Sequence, residues 1–217
     1  MKISELQKRF FTSLFLIPTL IFLATFSKEL FVLLLILITI IASYEWYNLN
    51  KKKISLDTFF GFIIIFTSIY FAYILRSDTQ KDIVLFLWII FVCIFSDIGG
   101  YIVGKIVGGV KITKISPNKT YAGMFGSFIF SLLPILFLYF LPVELKSSFT
   151  IIQYVSLSLL FSLICQFGDI TVSYYKRKNK KKDTGTIFPG HGGLLDRIDG
   201  IIFVLLISGF LKILQII

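Results

Sequence analysis

Charge is what this sequence has least of. Only 16% of its 217 residues are charged, against 56% hydrophobic side chains and 25 phenylalanines, a balance outside the range of soluble domains. Lipid is therefore the solvent expected for most of the chain. Cysteine is scarce as well: Cys93 and Cys165 both lie in apolar runs without a CxxC partner. That excludes a disulfide framework and a cysteine zinc site, and leaves the two thiols as packing residues. Histidine occurs once, as His191. There is no GxxxxGK[ST] loop, so a P-loop nucleotide site is excluded as a motif. No 20- to 50-residue repeat and no low-complexity linker divides the chain.

What is present is a series of apolar runs at about 10–26, 29–48, 57–75, 82–103, 121–142, 151–175 and 200–217. Each is long enough to cross a hydrocarbon core of about 30 Å as a helix. The expectation is an all-α integral membrane protein, a polytopic bundle of about seven transmembrane helices forming one membrane domain over 1–217. Its parts are N-terminal helices over 1–94, a region over 95–200 that holds the polar motifs, and a last helix over 200–217. The run at 10–26 follows Lys8 and Arg9 but lacks a small-x-small cleavage site and is soon followed by a second run. It reads as a retained span rather than a signal peptide.

The net charge of +10 reports orientation before it reports a ligand, and no nucleic-acid partner is expected. Sorted by connection, 17 of the 22 Lys and Arg residues fall on one side. They lie before the first run, at Lys51 to Lys53, between Lys105 and Lys119, and from Lys176 to Arg197. Only Lys28, Arg76, Lys81 and Lys146 lie on the other, with Lys212 inside the last run. Cationic residues near helix ends are retained inside, which predicts a cytoplasmic N-terminus. The two longest polar connections, 104–120 and 176–199, then share the cytoplasmic face.

Acidic residues inside a spanning helix cost about 2.5–3.5 kcal/mol by insertion scales and imply work or a partner. Asp97 and Asp169 each lie about six residues before the inner end of an apolar run, roughly 10 Å below the surface. A structural carboxylate paired with a cation is the alternative for Asp97. Asp196 and Asp199 are three apart and share a face if the last helix begins there. Two carboxylates on one face call for a cation between them, and Mg²⁺ takes hard oxygen ligands together with substrate phosphates. The bland alternative is a pair of acidic residues at a helix N-terminus, favoured by the macrodipole.

The loop from Lys176 to Lys182 has six cations in seven residues, a topology determinant or anionic-lipid patch by composition alone. It is followed by Phe188-Pro189-Gly190-His191-Gly192-Gly193, whose glycines allow close backbone approach to a ligand. Flanked by glycines, between a basic run and an acidic helix start, His191 reads as a substrate contact. In the other inner loop, Ser116-Pro117-Asn118-Lys119-Thr120 leads into the fifth run, where helix N–H groups favour a phosphate. The glycines of Gly99-Gly100 and Gly104 have close helix packing as their ordinary role.

Ser173 to Arg177, Lys182-Asp183-Thr184-Gly185 and Phe188 to Asp199 together closely resemble the signature of the phosphatidate cytidylyltransferases (CDP-diacylglycerol synthases). Ser96-Asp97, Gly100-Tyr101, Gly104-Lys105, Ser116 to Thr120 and Gly168-Asp169 resemble the family's upstream elements in order, so the likeness covers roughly 95–200. Tyr175 and Asn118 depart from the residues usual there without removing a charge or a ligand. The resemblance implies transfer of a cytidylyl group from CTP to phosphatidic acid at a bacterial inner membrane, with the active site facing the cytoplasm. It implies Asp169, Asp196 and Asp199 as metal ligands and catalytic residues, with Lys182 and, behind them, Asp183 as further catalytic candidates. It implies Mg²⁺ and admits a second, monovalent cation such as K⁺. Lys176, Arg177, His191, Gly192, Gly193 and Arg197 would contact substrate, supported by Ser116, Lys119, Thr120 and Asp97. A homodimer is compatible with the family, though no apolar surface identifies an interface. Competing readings are another lipid-linked nucleotide enzyme, such as a polyprenol kinase, against which the His-Gly-Gly…Asp-Arg…Asp match argues, and an ion-coupled carrier. A carrier gives no reason for every polar motif to gather on one face.

Overall fold

The computed structural model describes residues 21–51, 53, 55–113, 115–116, 119–187 and 192–217. Among these, residues 21–26 are helical and seven complete α-helices follow: α1 (Lys28–Leu49), α2 (Leu56–Leu75), α3 (Gln80–Val107), α4 (Tyr121–Ser131), α5 (Leu133–Tyr139), α6 (Ile151–Lys178) and α7 (Leu195–Ile213). No strand occurs among the described residues beyond an isolated Lys111–Thr120 bridge that closes the α3–α4 connection.

Among the described residues, five segments are long and apolar enough to cross a membrane: α1, α2, α3, α4 with α5, and α6. The expected first span lies outside the described residues except for its last six. The last helix forms, but it begins at Leu195 and so takes Asp196, Arg197 and Asp199 into its first turns. α3 and α6 also run to Val107 and Lys178, further than their apolar stretches. Asp97 and Asp169 consequently lie ten and nine residues from the helix ends, about 15 and 13 Å along the axis. The run expected as one helix over 121–142 is broken after Ser131. Pro134 lacks the N–H needed to continue the ladder, and Leu132 turns back to Ile129 in a 3.3 Å bond.

The helix starts follow from local chemistry. Ser27, Ser55, Thr79, Thr120 and Thr150 each accept a hydrogen bond from the backbone N–H three residues on, and Gln153 returns a bond to Thr150 as a capping box. α5, which follows directly on α4 through Leu132, and α7, whose first flanking residue is Leu194, have no side-chain cap of their own.

Packing between helices is set by glycine. A Cβ on Gly99 would stand 2.4 Å from the Gly126 carbonyl oxygen, and one on Gly126 would stand 2.6 Å from that of Gly99. α3 and α4 therefore meet backbone to backbone, as small residues permit in lipid. α6 and α7 meet in the same way, since a Cβ on Gly168 would stand 3.1 Å from the Cα of Gly200. Asp169 and Asp199 are the sequence neighbours of these two glycines, so the contact that joins the helices also brings the carboxylates together. Around α3, Trp88, Ile89, Val92 and Cys93 pack with Phe161 and Cys165 of α6. Both cysteines are free and buried.

Gly126→Leu should destabilise the protein by about 1–3 kcal/mol or more through overpacking at the α3–α4 seam, read as a lower melting temperature in detergent. Ile129→Leu, on the exposed face of α4, should leave it unchanged. Equal melting of the two variants would refute the glycine seam.

Candidate active site

One face of α6 carries Asp169, Ser173 and Lys176 at helical spacing. The Ser173 hydroxyl donates to Asp169 Oδ1 at 3.3 Å. Asp97 from α3 and Asp199 from the start of α7 converge on the same region: Asp169 is the like charge that acts most strongly on both. Asp199 is 8% exposed, whereas Asp97 and Asp169 remain accessible. Among the described residues few donors serve this group. Asp199 Oδ1 accepts the N–H of Gly200 at 2.9 Å, and Asp97 Oδ1 has a long contact of 3.7 Å from the Cys165 thiol. Asp169 is ion-paired with Lys119, whose ammonium also reaches the Gln166 carbonyl at 3.4 Å.

Asp196 belongs to a different cluster. Its Oδ1 accepts from Lys176 at 2.8 Å. Its Oδ2 accepts the N–H of Thr184 at 2.8 Å, the Thr184 hydroxyl at 3.0 Å and the N–H of Gly193 at 2.9 Å. The expected trio Asp169, Asp196 and Asp199 is thus divided: the first and last face Asp97, while Asp196 ties the loop to α7. Among the described residues no three His, Cys, Asp or Glu side chains are close enough to enclose a metal by themselves.

Glu45, 2% exposed on α1, completes the second cluster. Its Oε1 accepts the N–H of Leu194 at 2.9 Å, and its Oε2 accepts the N–H of Leu195 at 2.8 Å and the Thr184 hydroxyl at 3.0 Å. The motif pattern did not point to Glu45, yet the signal that marked Asp97, an acid inside an apolar run, applies equally to it.

The basic loop is anchored across the α1–α2 connection. Lys178 pairs with Asp57, the Lys181 ammonium donates to the Asn48 carbonyl at 2.7 Å, and Arg177 donates to the Lys181 carbonyl at 2.9 Å. The cationic connections sorted to one side of the chain thus meet at one end of the bundle. Arg177, Lys182, Asp183 and Arg197 are exposed, whereas Lys176 is buried against Asp196. Gly192 has a φ of +83°, and a Cβ there would stand 2.7 Å from Asp196 Oδ2, so it needs to be glycine for its backbone. Thr120 caps α4, accepting the Gly123 N–H at 3.1 Å, and the Ser116 carbonyl accepts from the Lys119 N–H at 3.1 Å. His191 lies outside the described residues. Beside these polar groups runs an apolar cleft between α1, α2, α6 and α7, lined by Trp46, Phe60, Ile64, Tyr175 and Phe203 among others, with Asp199 as its sole carboxylate.

Removing Lys176 would leave the Asp196 carboxylate buried without its cation, a change that typically costs about 3–5 kcal/mol. Lys176→Met should therefore lower the melting temperature sharply, while Lys178→Met, which removes an exposed pair, should leave it nearly unchanged. Equal effects would mean that the Lys176–Asp196 pair does not hold the loop.

Comparison with known proteins shows the family. The sequence model of the cytidylyltransferase family matches residues 57–214, a stretch that includes Asp97, Asp169, Asp196 and Asp199 but not Glu45. The phosphatidate cytidylyltransferase of Rickettsia bellii is 34% identical over 214 residues, covering 96% of this chain and 91% of that protein. That of Rickettsia conorii is 33% identical over 217 residues, covering 97% and 92%. The Staphylococcus haemolyticus protein of the same name is 35% identical over 178 residues, covering 80% and 66%. Matched through all its polar motifs and aligned with such relatives over most of its length, the chain belongs to the cytidylyltransferase family.

Proposed function

We propose that this chain transfers the cytidylyl group of CTP to phosphatidic acid, forming CDP-diacylglycerol and pyrophosphate. The observation that carries the proposal is the juxtaposition, in a membrane bundle of this family, of under-satisfied carboxylates, a cationic loop and an apolar cleft that opens beside Asp199. Membership accounts for the nucleotide chemistry; the cleft supports a lipid as the acceptor.

In the reaction a phosphate oxygen of phosphatidic acid attacks the α-phosphorus of CTP. The new P–O bond forms as the bond to the α,β-bridging oxygen breaks, and that oxygen leaves with the electron pair as pyrophosphate. Little covalent work falls to the protein; what it supplies is alignment and charge compensation for two approaching anions. Arg177, Lys182, His191 and Arg197 are assigned to phosphate contacts. Lys119 is placed to hold Asp169 until substrate phosphate draws its ammonium away.

Mg²⁺ fits the donor chemistry of Asp97, Asp169 and Asp199. These are hard oxygens, gathered with fewer N–H donors than their charge demands, and their inability to enclose an ion alone suits a metal that keeps waters and substrate phosphates as ligands. Bound there, it would supply charge neutralisation at the reacting phosphates. Asp196 would join them only by giving up Lys176, Thr184 or Gly193. K⁺ as a second cation and a homodimer remain part of the proposal on the strength of the family resemblance alone. So does placement in a bacterial inner membrane with the site facing the cytoplasm, for which the sorting of cations is the support.

With CTP, phosphatidic acid and Mg²⁺, the purified, lipid-reconstituted protein should form CDP-diacylglycerol, and chelation of divalent ions should abolish the product. Asp169→Asn and Asp199→Asn should each lower turnover by about 10²- to 10³-fold. A folded wild type that makes no product would overturn the assignment. Full turnover after chelation would overturn the metal.

A further inference from the structure

We infer that Glu45 is a positioning residue that caps α7 from another helix, and so fixes where the catalytic carboxylates stand. The inference rests on the proposed cytidylyl transfer for its activity readout, but not for its structural one. Five helices begin with their own Ser or Thr cap. α7 begins at Leu194 with none, although it is the helix that carries Asp196 and Asp199. The missing acceptor is delivered from α1: the two oxygens of Glu45 take the N–H groups of Leu194 and Leu195 at 2.9 and 2.8 Å. Those are the unpaired donors at a helix start, where a negative charge is favoured.

The Thr184 hydroxyl lies 3.0 Å from Glu45 Oε2 and 3.0 Å from Asp196 Oδ2, so the two carboxylates share its one proton. Glu45 thus binds both ends of the 184–195 connection to one point of α1. No cation pairs with it among the described ion pairs. A carboxylate 2% exposed is tolerable there because three donors and the helix dipole replace its hydration.

Two glycines record how tightly the strut fits. A Cβ on Gly193 would stand 2.4 Å from Glu45 Oε2, and one on Gly185 would stand 2.5 Å from Oε1. Gly193, in the motif that suggests a ligand cradle, is therefore approached by the protein's own carboxylate. Its lack of a side chain is a requirement set by Glu45 together with the Thr184 hydroxyl, which the same Cβ would also meet at 2.4 Å.

The test is a coupling experiment on the full-length protein in detergent, with Glu45→Gln, Glu45→Asp, Gly193→Ala and the double variant Glu45→Asp with Gly193→Ala. Melting temperature and CDP-diacylglycerol formation would be measured on the folded fraction. Glu45→Gln keeps the shape but turns an NH₂ toward N–H donors; it should lower kcat by about 10- to 100-fold with KM for CTP within about threefold of wild type. Shortening the acid withdraws it from residue 193. The double variant should accordingly melt higher and turn over faster than Gly193→Ala alone. An unchanged kcat in Glu45→Gln would overturn the inference. So would a Gly193→Ala penalty of the same size, in melting temperature, with Glu or Asp at position 45. If wild type makes no CDP-diacylglycerol, the proposed function fails, and the melting temperatures still decide the role of Glu45.

Discussion

A carboxylate inside a helical membrane bundle needs donors, because no water is there to supply them. Five acids near one end of this bundle meet that need to very different degrees. Asp196 has an ammonium, two N–H groups and a hydroxyl. Glu45 has two N–H groups and a share of that same hydroxyl. Among the described hydrogen bonds and ion pairs, Asp169 has one ammonium and one hydroxyl, Asp199 a single N–H, and Asp97 a thiol. The order separates two tasks. Saturated carboxylates hold the loop and helix in place, and the poorly served ones, which repel each other, are those to which the proposed Mg²⁺ is assigned.

That division depends on helix geometry fixed elsewhere. Gly168 and Gly200 let α6 and α7 touch backbone to backbone, which no larger residues would allow, and their neighbours Asp169 and Asp199 are carried into the same space. The α3–α4 glycine seam acts one layer further out. It fixes the helix that bears Asp97 and leads into the connection that bears Lys119. Core packing of Trp88, Val92 and Phe161 then holds α3 against α6, so three helices present one carboxylate each at a common depth.

Much of this was legible from composition and spacing, and the rest was hidden for physical reasons. Apolar runs located the helices because lipid rewards length and hydrophobicity alone. They understated α3, α6 and α7 because polar residues can extend a helix past the hydrocarbon without interrupting its hydrogen bonds. Pro134 was visible and its break was derivable from the missing N–H. The Asp196–Asp199 spacing implied a shared face; the structure instead points Asp196 to Lys176 and Thr184, contacts that depend on a loop fold no periodicity encodes. Glu45 lies 149 residues from its Leu194 partner, and only tertiary structure joins them.

The helix N-termini raise the question of how phosphates are held. The α4 start, which sequence spacing offered as a phosphate site, and the α7 start are both engaged by the protein itself. At α7, the N–H groups of Gly193, Leu194 and Leu195 go to Asp196 and Glu45. At α4, the N–H of Gly123 goes to Thr120 and that of Tyr121 to the Val110 carbonyl at 3.1 Å. These N–H groups are therefore already engaged before two substrates that each bring negative charge arrive. The compensating charge has to come from side chains that can move. Lys119, now on Asp169, and the exposed cations of the 177–182 loop are the groups with that freedom. Lys119 and Lys176 are neutralised by Asp169 and Asp196 before substrate arrives, which limits the cost of holding these two cations inside the bundle.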